Sequence, residues 1–208
     1  GMDYTNAIGI IVTTEFMSRI LAFDTWQERW GNTDRVLTEE QNESVAMQTF
    51  SGFDLTKRIV EAQVNIDGMT AAKRCWNYQK GDLQWYLPCL MELGVLRAYR
   101  DEINKAMEEI GCPDECLLPT EDSDETWVWS SSEGSQGGSW YVYFSNGNFF
   151  SSYKYFSYMV RAVAAFQPSP SLLTGEAKSN DCLHSDEVLI NMLRERGYKG
   201  ELTKTLTI

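Results

Sequence analysis

Trp127 to Phe166 reads WVWSSSEGSQGGSWYVYFSNGNFFSSYKYFSYMVRAVAAF, and the rest of the chain is best read outward from it. Between Trp140 and Tyr158 stand ten aromatic side chains, Trp140, Tyr141, Tyr143, Phe144, Phe149, Phe150, Tyr153, Tyr155, Phe156 and Tyr158. They are set among Ser, Asn and Gly with a single charge, Lys154. Large rings with few rotors, interleaved with small hydrogen-bonding residues, are the chemistry of a recognition surface. In alternating segments such rings also fill strand cores, and the inward half of them reads that way. Asn146-Gly147 between alternating runs predicts a hairpin, because a tight primed turn needs positive φ that Asn and Gly supply. The predicted pairing joins 140–145 to 148–153, with Phe144 opposite Phe149 and Tyr143 opposite Phe150. A period of two sends Trp140, Val142, Phe144 and Phe149 to one face and Tyr141, Tyr143, Phe150 and Ser152 to the other. Val160 to Phe166 is β-rich and small, as suits a central strand beneath a helix. One sheet face must then be covered, leaving the other solvated or binding.

The chain has 208 residues, 18 basic against 30 acidic, for a net charge of −12. That balance argues against nucleic-acid phosphate and anionic membrane surfaces as partners. The acidity is uneven: 114–125 carries six acids and no base, whereas 134–175 carries no acid. Five cysteines, Cys75, Cys89, Cys112, Cys116 and Cys182, are too scattered for a disulfide framework, so reduced thiols are expected. The close pair Cys112 and Cys116 has zinc-like spacing, but the chain's one histidine, His184, leaves few partners; a structural loop is expected, with no metal or cofactor. No signal peptide or membrane-length apolar run is present in this stretch, which predicts a cytoplasmic or particle-associated protein.

Taken in order, Ala7–Thr13 and Arg19–Phe23 predict an amino-terminal hairpin, followed by a polar loop that Trp26 and Trp30 would anchor on the core. Asp54 is placed to cap a helix buried through Leu55, Ile59 and Ala62, and Thr70 to cap another through Ala71, Ala72, Cys75 and Trp76. Trp85-Tyr-Leu-Pro88 is extended, since proline biases its predecessor to β geometry. A long helix from about Leu90 to Ile110 follows, with Leu93, Leu96, Tyr99, Ile103, Met107 and Ile110 inward and Gly111 closing it. The charged side of that helix reads as solvated. Pro168 and Pro170 begin a linker over 167–185. A helix capped by Ser185, apolar at Leu189, Ile190 and Leu193 and closed by Gly197, and a strand at 201–208 form an appendage.

Four motifs in series, Trp85-Tyr-Leu-Pro88 with Glu92-Leu93, Trp129-Ser-Ser-Ser-Glu133, Trp140-Tyr-Val-Tyr-Phe-Ser-Asn-Gly147 and Val160-Arg-Ala-Val163, resemble bacterial and phage proteins of the C-type-lectin fold. The resemblance is to the collagen-like-protein C-terminal domain family, related to formylglycine-generating enzymes and to variable proteins of diversity-generating retroelements. It covers about 85 to 166 and, more loosely, the first 80 residues as in gut-anaerobe members. It implies an α+β fold: a twisted antiparallel sheet with flanking helices, one C-type-lectin-like domain over 2–166. The framework positions would be Trp129, Ser130, Ser131, Glu133, Trp140, Val142, Phe144, Gly147, Val160, Arg161 and Val163. Displayed positions would be Tyr141, Tyr143, Asn148, Phe149, Phe150, Ser151, Ser152, Tyr153, Tyr155, Phe156 and Tyr158. The Glu-Pro-Asn and Trp-Asn-Asp motifs of calcium-dependent sugar binding are absent, so that activity is not implied.

These readings converge on a non-catalytic module that binds a protein or glycan through Tyr141, Tyr143, Asn148, Phe150, Ser152, Tyr153, Tyr155, Phe156 and Tyr158. An assembly component of a phage or mobile-element particle is the alternative, its aromatics or its 201–208 strand meeting a neighbouring copy. An oxidase like the formylglycine-generating enzymes would need a reactive cysteine pair in a cleft. Cys112 and Cys116 precede the sheet with no later pair, and His184 lies in the linker, so no catalytic residue is assigned.

Overall fold

A computed structural model describes residues 7–31, 35–64, 66–121, 123, 126–166 and 205–207. Its strands are β1 (Ile10–Thr13), β2 (Ser18–Arg29), β3 (Trp85–Tyr86), β4 (Trp127–Glu133), β5 (Gly138–Tyr143), β6 (Phe149–Tyr153), β7 (Ser157–Ala165) and β8 (Thr205–Thr207). Its helices are α1 (Glu43–Ala46), α2 (Gly52–Ala62), α3 (Ala71–Trp76), α4 (Leu90–Ala98) and α5 (Arg100–Glu109). The strands form one twisted, unclosed sheet in the order β6-β5-β4-β7-β2-β1-β8, with β3 also on β7. Pairings are antiparallel except β1 with β8 and the brief β4 contact with β7. The fold is therefore α+β.

Alternation along the strands feeds two cores. On one face Ile10, Val12, Leu21, Val142, Phe144 and Val163 pack with Leu93, Leu96, Ile103 and Met107 of α4 and α5. On the other, Ile11, Ile20, Trp85, Trp129, Val160 and Ala162 pack with Ile59 of α2 and Ala71, Ala72 and Cys75 of α3. Burial of these apolar groups, at about 25 cal/mol per Å2, is what holds the layers together. Helix ends follow local chemistry: Thr70 accepts from the Lys73 amide, and Gly111 at φ +80 closes α5 with Cys112 N–H bonded to the Met107 carbonyl at 3.0 Å.

Buried polar joints fix the strands relative to one another. Glu92, fully buried, accepts from Arg19 at 2.7 Å, from the Tyr86 hydroxyl at 2.9 Å and from the Cys89 amide at 3.0 Å, tying β2, β3 and the start of α4. Arg161 fills the gap where the β2 register shifts between Leu21 and Thr25, donating to the Ala22 and Cys116 carbonyls. Asn104 brackets Leu118, donating to its carbonyl at 2.8 Å and accepting from its amide at 2.7 Å.

Several sequence expectations are corrected. Trp26 lies within β2 rather than in a polar loop, because β2 pairs with β7 as far as Arg29, whereas Trp30 follows the strand and anchors the loop on the core as expected. Trp30 is fully buried and donates to the Ser130 carbonyl at 2.8 Å. The long helix is interrupted at Tyr99, whose φ −109 and ψ 22 leave helical geometry; beside this break Arg97 and Arg100 reach the Ser145 carbonyl. In the hairpin Val142 pairs with Phe149 and Tyr141 with Phe150, two residues from the predicted register. Phe144 is drawn out of the strand into the core, and Arg100 holds its carbonyl at 2.7 Å, so Phe144–Gly147 becomes a four-residue loop with Gly147 at φ +81. A shift of two preserves every face assignment. Neither sheet face is left simply solvated: helices cover both, and at the β5–β6 end rings cover the second. The predicted linker 167–185, with Cys182 and His184, and the helix after Ser185 lie outside the described residues. Of 201–208 only Thr205–Thr207 is described, pairing with Ile11–Thr13.

Candidate functional site

The β6–β7 turn organises the aromatic segment through the one charge it contains. Lys154 and Glu133 are both fully buried, with Nζ 2.5 Å from Oε1. Nζ also donates to the carbonyls of Gln136 at 2.8 Å and Arg35 at 3.3 Å, so its three protons have three acceptors, and it lies 4.8 Å from the Trp30 ring centroid. The Glu133 carboxylate accepts in addition from the Leu37 amide at 3.0 Å, the Thr38 amide at 2.5 Å and the Thr38 hydroxyl at 2.6 Å. The backbone of Lys154 is held as well, its N–H on the Gly137 carbonyl and its carbonyl accepting from Gly31. Neither residue was assigned this role from sequence. The available signal was an isolated lysine in a run without acids, following the last acid of the Ser-Ser-Ser-Glu133 motif.

With Lys154 turned inward, its neighbours point out. Tyr153 is 60% exposed, Tyr155 57%, Phe150 46% and Phe156 43%. Asn148 and Ser151 are also exposed, whereas Tyr143 and Ser152 are half-buried. Tyr153 and Tyr155 stack at 5.4 Å with an interplanar angle of 8°, and Phe156 packs on Tyr155 at 4.6 Å. Ring contacts then run from Phe156 to Tyr158, Tyr141, Phe150, Tyr143 and Trp127, making one continuous aromatic strip around the sheet edge.

Two residues expected on display are corrected. Tyr141 and Tyr158 are each only 6% exposed, because Trp127 and Trp129 of β4 lie over them. Trp129 and Tyr158 ring centroids are 4.5 Å apart, and the Tyr158 hydroxyl is bonded to Ser152 at 2.7 Å. Ser152 thus spends its hydroxyl internally. These three form the base on which the exposed rings rest.

The thiols lie elsewhere. Cys75, Cys89, Cys112 and Cys116 are free and buried. Burial pushes the Cys112 thiol up to about 11 and raises Cys75, Cys89 and Cys116, so none is poised as a thiolate. Among the described residues no three His, Cys, Asp or Glu side chains converge as a metal-ligand set. A cleft of about 710 Å3 is lined by Asp24, Trp26, Arg74, Tyr78, Lys80 and Cys116, and another of about 580 Å3 by Asn104, Lys105, Pro119 and Thr126; neither includes the exposed rings. Among the described residues no helix is long and apolar enough to cross a membrane.

No family profile and no curated protein matches the sequence. Among solved structures the chain is similar to a fimbrial protein from Bacteroides ovatus, with a TM-score of 0.53 and 13% identity. The match covers 72% of this chain and 36% of that one, so this chain spans little more than a third of its neighbour. At that identity the likeness concerns the fold alone.

Proposed function

We propose that this chain is a non-catalytic recognition module of C-type-lectin-like architecture that binds a protein or glycan through the aromatic strip at its β5–β6 end. One observation carries the reading: exposed Tyr153, Tyr155 and Phe156 stand on a turn clamped by the buried Lys154–Glu133 pair. Exposed rings on a mobile loop would lose binding energy to ordering; rings on a clamped turn meet a partner with that entropy already removed. The motif series supports the family resemblance, with Trp85-Tyr86 in β3, the Ser-Ser-Ser-Glu133 run in β4, Trp140–Tyr143 in β5 and Val160-Arg-Ala-Val163 in β7.

Binding selections against peptide and glycan libraries, run in parallel on the wild type and Tyr153→Ala/Tyr155→Ala, test the reading. Ligands of the wild type should lose affinity at least ten-fold for the double variant while its melting temperature stays nearly unchanged. Ligands indifferent to both substitutions would place recognition elsewhere. A second reading, assembly with neighbouring copies, draws on the likeness to a fimbrial protein and on β8, a three-residue strand on the outer edge of β1. Concentration-dependent association abolished by deleting 201–208 would favour it.

A further inference from the structure

Resting on that recognition reading, we infer that the strip's ligand is an uncharged glycan chain. Its exposed side chains are Phe150, Tyr153, Tyr155 and Phe156 with Asn148, so it presents rings, phenolic hydroxyls and an amide but no charge. Lys154, the ion within the segment, is sealed and neutralised by Glu133. Where β2 borders the strip, Glu28 is paired with Arg74, and Arg29, on the carbonyl of Asp67, adds the opposite sign. The whole chain carries −12, which repels polyanions such as nucleic acid and uronate or sulfated glycans.

Shape narrows the class further. Small ligands are taken into cavities that bury most of their surface, whereas these rings stand on the outside of an edge turn. An extended chain lying across them makes contact with several rings at once. A pyranose has a face of polarised C–H bonds, which suits the negative face of an aromatic ring, and an edge of hydroxyls, which suits tyrosine and asparagine. Protein interfaces are enriched in Met and Arg as well as aromatics, and the exposed strip offers neither.

The test is affinity electrophoresis and titration calorimetry of the intact chain against cello-, xylo-, manno- and β-1,3-gluco-hexaoses and their polymers, beside polygalacturonate, a sulfated glycan and a random peptide library. At least one neutral series is expected to bind, more tightly as the chain lengthens, with little change up to about 0.5 M salt. The binding should persist in EDTA, and Tyr153→Ala/Tyr155→Ala should weaken it ten-fold or more; Tyr155→Gln alone serves if the double variant is unstable. Preference for polygalacturonate or the sulfated glycan overturns the inference. Peptide binding through the same rings with no neutral glycan bound also overturns it, while leaving the recognition surface standing. Failure of every probe overturns both.

Discussion

Replacing Lys154 with Met removes the ammonium and keeps the stem, so the Glu133 carboxylate stays buried with donors from Leu37 and Thr38 but without its countercharge. Removing one partner of a buried pair costs about 3–5 kcal/mol, because the remaining charge is uncompensated. In a domain of this size 1 kcal/mol corresponds to about 2–4 °C, so the melting temperature should fall by roughly 6–20 °C. Glu133→Gln should cost a similar amount by stranding the ammonium among carbonyls. The double variant Lys154→Met/Glu133→Gln should lose less than the sum, with a coupling of up to about 3 kcal/mol. Urea unfolding followed by tryptophan fluorescence gives the energies. Amide exchange at 153–156 reports the clamp itself and should speed up in either single variant. Single-variant losses near 1 kcal/mol, as for an exposed ion pair, or simple additivity, would refute the assignment of this pair as the clamp of the aromatic turn.

Tyr141→Ala should destabilise by about 3–5 kcal/mol in the same unfolding assay, as expected for an aromatic core truncation, whereas Tyr155→Ala should leave stability within about 0.5 kcal/mol. Gly52→Ala should weaken the Glu92 joint, since a Cβ there would meet Glu92 Oε2 at 2.2 Å and the Cys89 amide nitrogen at 2.8 Å; a lowered urea midpoint is the readout. Cys75, Cys89, Cys112 and Cys116 should react slowly with a thiol reagent near pH 8 and at once in denaturant. Burial raises their pKa, so native reactivity should climb only as pH rises toward the Cys112 value of about 11.

Much of the architecture is legible in local chemistry. The amino-terminal hairpin, the Thr70-capped helix, the extended Trp85-Tyr86 and the Gly111 stop each follow from periodicity or from a residue suited to one backbone conformation, and each forms as expected. The two faces of the β5–β6 hairpin were also readable, since a parity of two survives a two-residue slip. Its register was not, because Arg97, Arg100 and the core around Phe144 set it from α4 and α5, about 45 residues away. Likewise Trp26 reads as a loop residue until β7 is laid beside β2.

Composition alone determined that residues 140–158 form a ring-rich segment nearly free of charge, and alternation determined that half the rings must turn inward. Which half reaches solvent was decided only in three dimensions. Trp127 and Trp129, contributed by the neighbouring β4, cover Tyr141 and Tyr158, while Glu133 from that same strand draws Lys154 under the turn and leaves Tyr153, Tyr155 and Phe156 outside. A side chain's exposure depends on what distant strands place over it, and no local pattern in the sequence records that.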